Sequence, residues 1–586
     1  ISLRIAAFNV VKMQTAMTMN ALGLGLGARP AMRSRVVAAK SAKAIVGTPV
    51  VGKPVQMAAR RAAVTVRAGG NPEPIVQAPF KGIKDDLAAR GPLYIDDFKQ
   101  GVSPKSLASI FFLFFAALAP AVAFGAVLTS ATAGMLGATE VILATAIGGV
   151  LYSVLCGQPM SILASTGSVV TYTAILYTTC TQYGLPFFGT YAWIGIWTSI
   201  ILMGVAITSS SNLVRFFTKF TDETFAALVA CIFCVESAKK IISMFFNPAI
   251  SGTLALSSAL IALVTLYAGL FLSGLKRQPY GPEAIRNIVS DFAPTIAVAV
   301  GCAFASWLTA TYGLSLDALS LPASLAPTAA RSWVIDIFAV PNWVKLAALA
   351  PAPACAILLY MDQNITTRLV NNSVGLKKKA AYHLDMFWLS LITAATSICG
   401  LPWICASTVH SITHVKSLSD TKVNEATGRE EVTGVIESRW TPLVLNILIG
   451  CAILYLKPIL GQIPMCVLNG LFFYLGLSAM RGNEFIERVF MCMITDSKKM
   501  PKTHPLSAGN DRATDLGTLK KFTYMQIACL GVMWWIKGSP AAMLFPILIA
   551  ALGPVRIVAG KAGWFSQKDL NNLDEQVETD PGYVAA

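Results

Sequence analysis

Charge is scarce in this chain. Only 13% of its 586 residues are Asp, Glu, Lys or Arg, where a soluble domain carries roughly 25%. With 55% hydrophobic residues, the shortage excludes an ordinary water-soluble fold and points to lipid. Histidine is scarcer still: His383, His410, His414 and His504 make up the whole set. They form no metal-ligand motif, and no nucleophile–base spacing accompanies them, so an intramembrane enzyme is the weakest reading. No polar stretch is long enough to fold as a catalytic appendage. The twelve cysteines are scattered through apolar segments, and Cys231–Cys234 has neither a second pair nor a nearby His. They read as small apolar residues facing helices.

Acids are missing from one end. Residues 1–68 hold eleven Lys and Arg and no Asp or Glu, the first acid being Glu73. The net charge of +16 comes mostly from this stretch, and the remainder carries +5. The basicity is therefore no sign of nucleic-acid binding. A leader rich in Ala, Val, Ser and Arg, without a long apolar run, has the composition of an organellar transit peptide. Val64-Thr65-Val66-Arg67-Ala68 resembles a plastid processing site. The alternative is a tail that is never removed.

What is abundant is apolar segments. Spans are expected near 107–129, 137–156, 188–208, 223–243, 255–274, 287–311, 343–370, 384–399, 439–456, 463–480, 521–537 and 540–557, several exceeding the ~20 residues that cross the hydrocarbon. Lys and Arg concentrate in alternate loops, as at Arg215/Lys219, Lys377-Lys378-Lys379 and from Arg481 to Lys521. This positive-inside pattern puts both termini on one side. The expected organisation is a leader (1–68), a short polar or amphipathic segment (69–103), a first membrane repeat (104–313) and a loop on the opposite side (314–342). A second repeat (343–560) carries a basic surface loop at 486–521, and an acidic tail (561–586) follows.

Two apolar stretches are broken in the same way, 243 positions apart. One reads Gly157-Gln158-Pro159 and then Ala164-Ser165-Thr166-Gly167; the other reads Gly400-Leu401-Pro402 and then Ala406-Ser407-Thr408-Val409. Gly and Pro interrupt a membrane helix, and the hydroxyl residues suit the start of a new one. A helix that begins inside the bilayer aims free N–H groups and its positive dipole end at whatever lies there. One such break per half is the pointer to the binding site of an inverted-repeat transporter. Half-helices are expected near 166–180 and 406–416. With them the fold is an all-α polytopic membrane protein of fourteen elements, seven in each of two inverted repeats.

Asp362 follows sixteen uncharged residues, a costly place for an ionisable group and commonly a functional one. Thr366 lies one turn on, on the same helix face. Hard oxygen ligands of this kind suit a small cation, or a proton in its place. The alternative is that Asp362 only pairs with a polar helix, or sits near the headgroups beside Arg368. An anion held by the half-helix starts and a cation at Asp362 would each favour the other's binding. His410 either touches the anion or packs against a neighbouring helix. Glu140 and Glu236 read as packing or lipid-edge groups, and Asp291 as a helix cap.

These strings are similar to those of a known family. GQPMSILASTG (157–167), LVRFFTKFTDETFAALVACIF (213–233), MDQNIT (361–366), YHLDMFWL (382–389), GLPWICASTVHSITHVKSL (400–418), GREEVTG (428–434) and FPILIAAL (545–552) resemble, in order, the membrane domain of the bicarbonate transporters, which include band 3 anion exchangers and sodium–bicarbonate cotransporters. The resemblance covers about 104–574. It implies fourteen helices divided into core and gate domains, a homodimer in the lipid bilayer, and elevator-like movement. Met361-Asp362-Gln363 with Thr366 is similar to the sodium-coupled branch, so sodium is implied at Asp362 and Thr366 and no other cofactor. Bicarbonate or carbonate is implied at Thr166, Gly167, Thr408 and Val409; beside them Ser165, Ser407 and His410, read from the helix breaks themselves, complete the expected anion site.

Three departures matter. The family's STGP reads Ser165-Thr166-Gly167-Ser168 here, without its proline. His410 stands where exchangers carry Arg and sodium cotransporters an apolar residue. Both leave open the coupling ion and its stoichiometry, with a proton able to replace sodium; the alternative within transporters is sodium-independent anion exchange or borate transport. The transit-like leader stands where the family has a large cytoplasmic domain, which favours a plastid envelope over the plasma membrane. A receptor-like membrane component without transport is the reading from a different class.

Overall fold

The structure is a computed structural model. It describes residues 76–574, apart from 217, 249, 276–277, 279–280, 320–324, 372, 374–375, 377, 424–429, 482, 495–505, 507–513 and 540–541. The transit-like leader, half of the basic tract at 486–521 and the end of the acidic tail lie outside the described residues.

Two short helices, α1 (Lys81–Arg90) and α2 (Tyr94–Lys99), precede the membrane bundle. Then come α3 (Pro104–Ala131), α4 (Ala138–Leu155), α5 (Gly167–Gln182), α6 (Phe187–Ile207), α7 (Lys219–Phe246), α8 (Gly252–Gly274), α9 (Glu283–Asp291) and α10 (Ala293–Tyr312). After a long connection follow α11 (Ala352–Asn371), α12 (Tyr382–Ile398), α13 (Thr408–Ser417), α14 (Trp440–Tyr455), α15 (Met465–Met480), α16 (Glu484–Met491), α17 (Leu516–Lys537) and α18 (Phe545–Lys561). Every expected span and both half-helices fall on helix.

The differences have local causes. The span expected at 287–311 is two helices, parted at Phe292 where Pro294 enters the first turn of α10. Asp291, expected to cap this helix, is instead the last residue of α9, and Phe292 holds the N-cap position. The span expected at 343–370 is a short helix, Asn342–Ala347, and then α11, with Pro351 and Pro353 at the join. The fold is not purely helical: β1 (Leu163–Ala164) pairs antiparallel with β2 (Cys405–Ala406), and β3 (Ser419–Val423) with β4 (Glu430–Val435). By length and composition six of the described helices can each cross a membrane, and a bent pair, α15 with α16, adds a seventh. Others expected to span are shorter, like α12 and α14, or carry polar side chains inward, like α11.

By their main contacts the helices fall into two groups, joined where α11 meets α18 and α3 meets α15. In one, α12 lies on α6, α14 on α4 and α3, and α11 on α6 and α13. In the other, α15 lies on α7 and α8, α10 on α8, and α17 and α18 on α7. Small residues allow the close approaches: a Cβ on Gly470 of α15 would sit 2.3 Å from the Ala262 carbonyl oxygen of α8. The outward faces are apolar. On α8, Leu256, Leu260, Leu263, Tyr267 and Phe271 form one exposed stripe. A stripe of that kind is a liability in water and ordinary in lipid. The chain is a multi-pass membrane protein.

The segment before α3 is tied to the bundle by buried polar and charged groups. Asp86 accepts hydrogen bonds from the backbone N–H groups of His383 and Leu384 and so caps α12. Arg90 pairs with Glu437 at 3.1 Å. Asp97 pairs with Arg439 at 3.0 Å and with Lys378. The expected surface loop at 486–521 opens instead as part of α16, because Arg488 is buried against Glu223, Glu484 and Gln526. Glu140 accepts from the Gly137 N–H and from Thr328, which makes it a structural cap. Glu236 faces Lys537 and Lys239. All twelve cysteines are free thiols.

Candidate functional site

Each chain break is held by groups far away in sequence. The first is held by Asp385 of α12, whose Oδ1 accepts from the N–H groups of Gly157 (2.7 Å) and Gln158 (3.1 Å). The second is held by Tyr191 of α6. Its hydroxyl donates to the Leu401 carbonyl and accepts from the Trp403 N–H, and its ring stacks on Trp403 at 4.2 Å. Gly400 makes this turn possible with φ +60°.

The strands that follow cross in antiparallel register, Leu163 opposite Ala406 and Ala164 opposite Cys405. The pairing extends outward: Ser407 N–H donates to the Ile162 carbonyl, and Ile162 N–H to Ser411 Oγ. Because the strands run in opposite directions, α5 and α13 start from the two ends of one small ladder. The helix starts expected at 166 and 406 fall at Gly167 and Thr408.

Neither start is capped by its own N-cap side chain, although Thr166 and Ser407 are good capping residues. Both hydroxyls are engaged elsewhere. Thr166 Oγ1 donates to Asp362 Oδ2 at 2.8 Å, and Ser407 Oγ lies 2.8 Å from His410 Nδ1. The first-turn amides of Gly167, Ser168 and Val169, and of Thr408, Val409 and His410, are left without side-chain caps. Such amides and the dipoles behind them favour negative charge.

Asp362 sits between the starts on α11. Its Oδ2 accepts from Thr166, from Ser168 Oγ at 2.5 Å and from Cys405 Sγ at 3.5 Å. One turn on, Thr366 Oγ1 lies 2.7 Å from Thr408 Oγ1 and 3.1 Å from the Ala406 carbonyl. Gln363 also holds β2: its Oε1 accepts from Ala406 N–H, and its Nε2 donates to Tyr152. Thus Asp362 reaches the first half-helix and Thr366 the second. Gly167 lies under Phe233 of α7, where a Cβ would come within 1.7 Å of the ring. Phe124 and Phe472 complete an aromatic cluster around that ring.

The other expected site residues are placed as follows. Ser165 is buried and its hydroxyl has no hydrogen-bond partner among the described residues. Thr408 and Val409 are exposed at the tip of α13. His410 Nε2 lies 3.3 Å from the Ala116 carbonyl of α3, and its Nδ1 meets Ser407. The ring thus packs against α3, and its backbone N–H lies in the first turn of α13. Sequence reasoning gave no site role to Ser168, Cys405, Gln363, Asp385, Tyr191 and Phe233. Ser168 carried a signal as the residue standing in place of proline, and Gln363 as part of the motif around Asp362.

The sequence matches the profile of the HCO3- transporter integral membrane domain over residues 78–253 and 248–578. The chain belongs to this family. It is 30% identical over 575 residues to the electrogenic sodium bicarbonate cotransporter 1 of Oryctolagus cuniculus, covering 85% of this chain and 52% of that one. It is 31% identical over 603 residues to the human sodium bicarbonate cotransporter 3, covering 90% of this chain and 48% of that one. The chain thus spans about half the length of these curated relatives. Among solved structures, the transmembrane domain of the cyanobacterial bicarbonate transporter BicA aligns with TM-score 0.50 and 13% identity, over 81% of this chain and 99% of that one. The murine Solute Carrier 26 family member A9 anion transporter, in its inward-facing state, aligns with TM-score 0.55 and 12% identity, over 82% and 72%. At these identities the likeness is one of fold. The family is one of membrane transporters rather than enzymes.

Proposed function

We propose that this chain is a secondary active transporter of bicarbonate or carbonate, coupled to sodium. The observation that carries the reading is the meeting of two uncapped helix starts, Gly167 and Thr408, across one antiparallel ladder beside the buried Asp362. Six first-turn amides suit a small oxyanion. Asp362, Thr166, Thr366 and Thr408 offer the hard oxygens that sodium prefers. A carboxylate so near would repel the anion, and a cation bound to it turns repulsion into attraction. Each ion therefore makes the other's binding more favourable, which is the thermodynamic content of symport. Family membership and the sodium bicarbonate cotransporters among the relatives support both ions.

The two packed helix sets support an elevator-like movement, in which the set carrying the breaks slides against the set carrying Phe233. The chain would work as a homodimer in the bilayer, and the transit-like leader supports a plastid envelope. The test is uptake of radiolabelled bicarbonate by proteoliposomes with sodium and proton gradients imposed separately. Uptake driven by an inward sodium gradient supports the proposal. Uptake that ignores sodium points to anion exchange, and no uptake of bicarbonate refutes the substrate.

A further inference from the structure

We propose that Ser168 is an additional ligand of the cation pocket at Asp362, so that this chain binds its coupling ion with one more protein oxygen than Asp362 and Thr366 alone provide. The inference rests on the sodium reading of the site. Ser168 is the second residue of α5 and is buried, 3% exposed. Its Oγ lies 2.5 Å from Asp362 Oδ2 and 2.9 Å from Thr166 Oγ1, while Thr166 Oγ1 lies 2.8 Å from Asp362 Oδ2. Three oxygens from two helices thus form a closed triangle at hydrogen-bond separations.

With no cation present the hydroxyls donate to the carboxylate and offset its buried charge. A hydroxyl also carries two lone pairs. When a cation binds, each hydroxyl turns its hydrogen away and presents a lone pair, so the same three atoms change from a hydrogen-bonded cluster to one face of a coordination shell. No covalent chemistry is needed, only rotation about two C–O bonds. Ser168 has a second, separable contribution through its backbone. At this position its N–H is one of the uncapped donors of the first turn, which a proline would remove together with the hydroxyl.

The experiment uses the purified full chain in lipid nanodiscs and follows thermal stability during titration with sodium chloride at constant ionic strength, with choline as the replacement cation and no bicarbonate. Wild type is expected to be stabilised by sodium in a saturable way. Ser168→Ala should raise the sodium midpoint about tenfold, as loss of a polar contact to a charged group would. Ser168→Thr, which keeps the hydroxyl, should stay within about twofold. In flux assays at saturating sodium, Ser168→Pro, which removes the backbone donor together with the hydroxyl, should raise the KM for bicarbonate more than Ser168→Ala does. An unshifted sodium midpoint in a Ser168→Ala protein whose melting is otherwise like wild type overturns the assignment while sparing sodium coupling. A wild type that no sodium concentration stabilises overturns both. Sodium stabilisation that depends on Ser168, in a protein that fails to carry bicarbonate, supports the cation ligand and discards only the substrate.

Discussion

Thr366 and Thr408 face each other with their hydroxyl oxygens 2.7 Å apart. One belongs to the helix that carries Asp362, and the other is the first residue of the second half-helix. The contact couples the expected cation ligands to the tip that would hold the anion. Thr366→Val keeps the shape of the side chain and removes this hydroxyl, leaving Thr408 and the Ala406 carbonyl without that partner. It should raise the sodium midpoint for transport about tenfold, with a smaller rise in the bicarbonate KM. Initial rates over a two-dimensional grid of both ions check this.

Gly167 is required by a neighbour rather than by its own backbone. A Cβ there would stand 1.7 Å from Phe233 Cζ, closer than any contact between real atoms. Gly167→Ala should therefore displace α5 from α7 and reduce transport by at least tenfold. Phe233→Leu in the same chain should restore part of the rate, because it removes the atom that clashes. Flux per folded molecule in the single and double variants distinguishes this contact from a general loss of folding.

Much of this arrangement was legible in the sequence. The paired Gly-x-Pro breaks marked both half-helices to within about two residues, because Gly, Pro and a following hydroxyl act locally. Asp362 stood out because a carboxylate inside an apolar run has few structural explanations. The partners that hold these groups were not legible. Asp385 clasps Gly157 from 228 positions away, and Tyr191 clasps Leu401 from 210 away. Contacts at such separations leave no periodicity or spacing to read. His410 illustrates the same limit: its place beside the tip was visible, but the direction of its ring depends on the Ala116 carbonyl on a separate helix.

Asp385 holds the first break through one oxygen, which accepts from two buried N–H groups. Asp385→Ala leaves both donors unpaired, a cost of about 2–5 kcal/mol. Asp385→Asn retains an acceptor and should cost less than half as much. Denaturation midpoints of the purified variants give the comparison. If alanine and asparagine are equally harmful, the charge rather than the clasp is what matters there.

The N-terminal attachment should respond to pH. Burial pushes the Asp86 carboxyl up from 3.8 to about 8, against the pull of the Leu384 and His383 amides. The folded state then holds a proton that the unfolded chain releases above its lower value. This group's contribution is fully present below about pH 4, declines as pH rises, and is lost by about pH 8. Asp86→Asn, which does not titrate, should remove that slope. Melting curves from pH 5 to 8 should show wild type losing stability relative to the variant.

The central claim is that Asp362 holds the cation which lets two helix tips bind an oxyanion together. The most direct test is bicarbonate uptake by proteoliposomes containing Asp362→Asn, with and without an inward sodium gradient. Asparagine keeps the size of the group and one acceptor oxygen but removes its charge. The account requires that the gradient no longer accelerate uptake in the variant, while wild type responds strongly. An Asp362→Asn protein that responds to sodium as wild type does would contradict it.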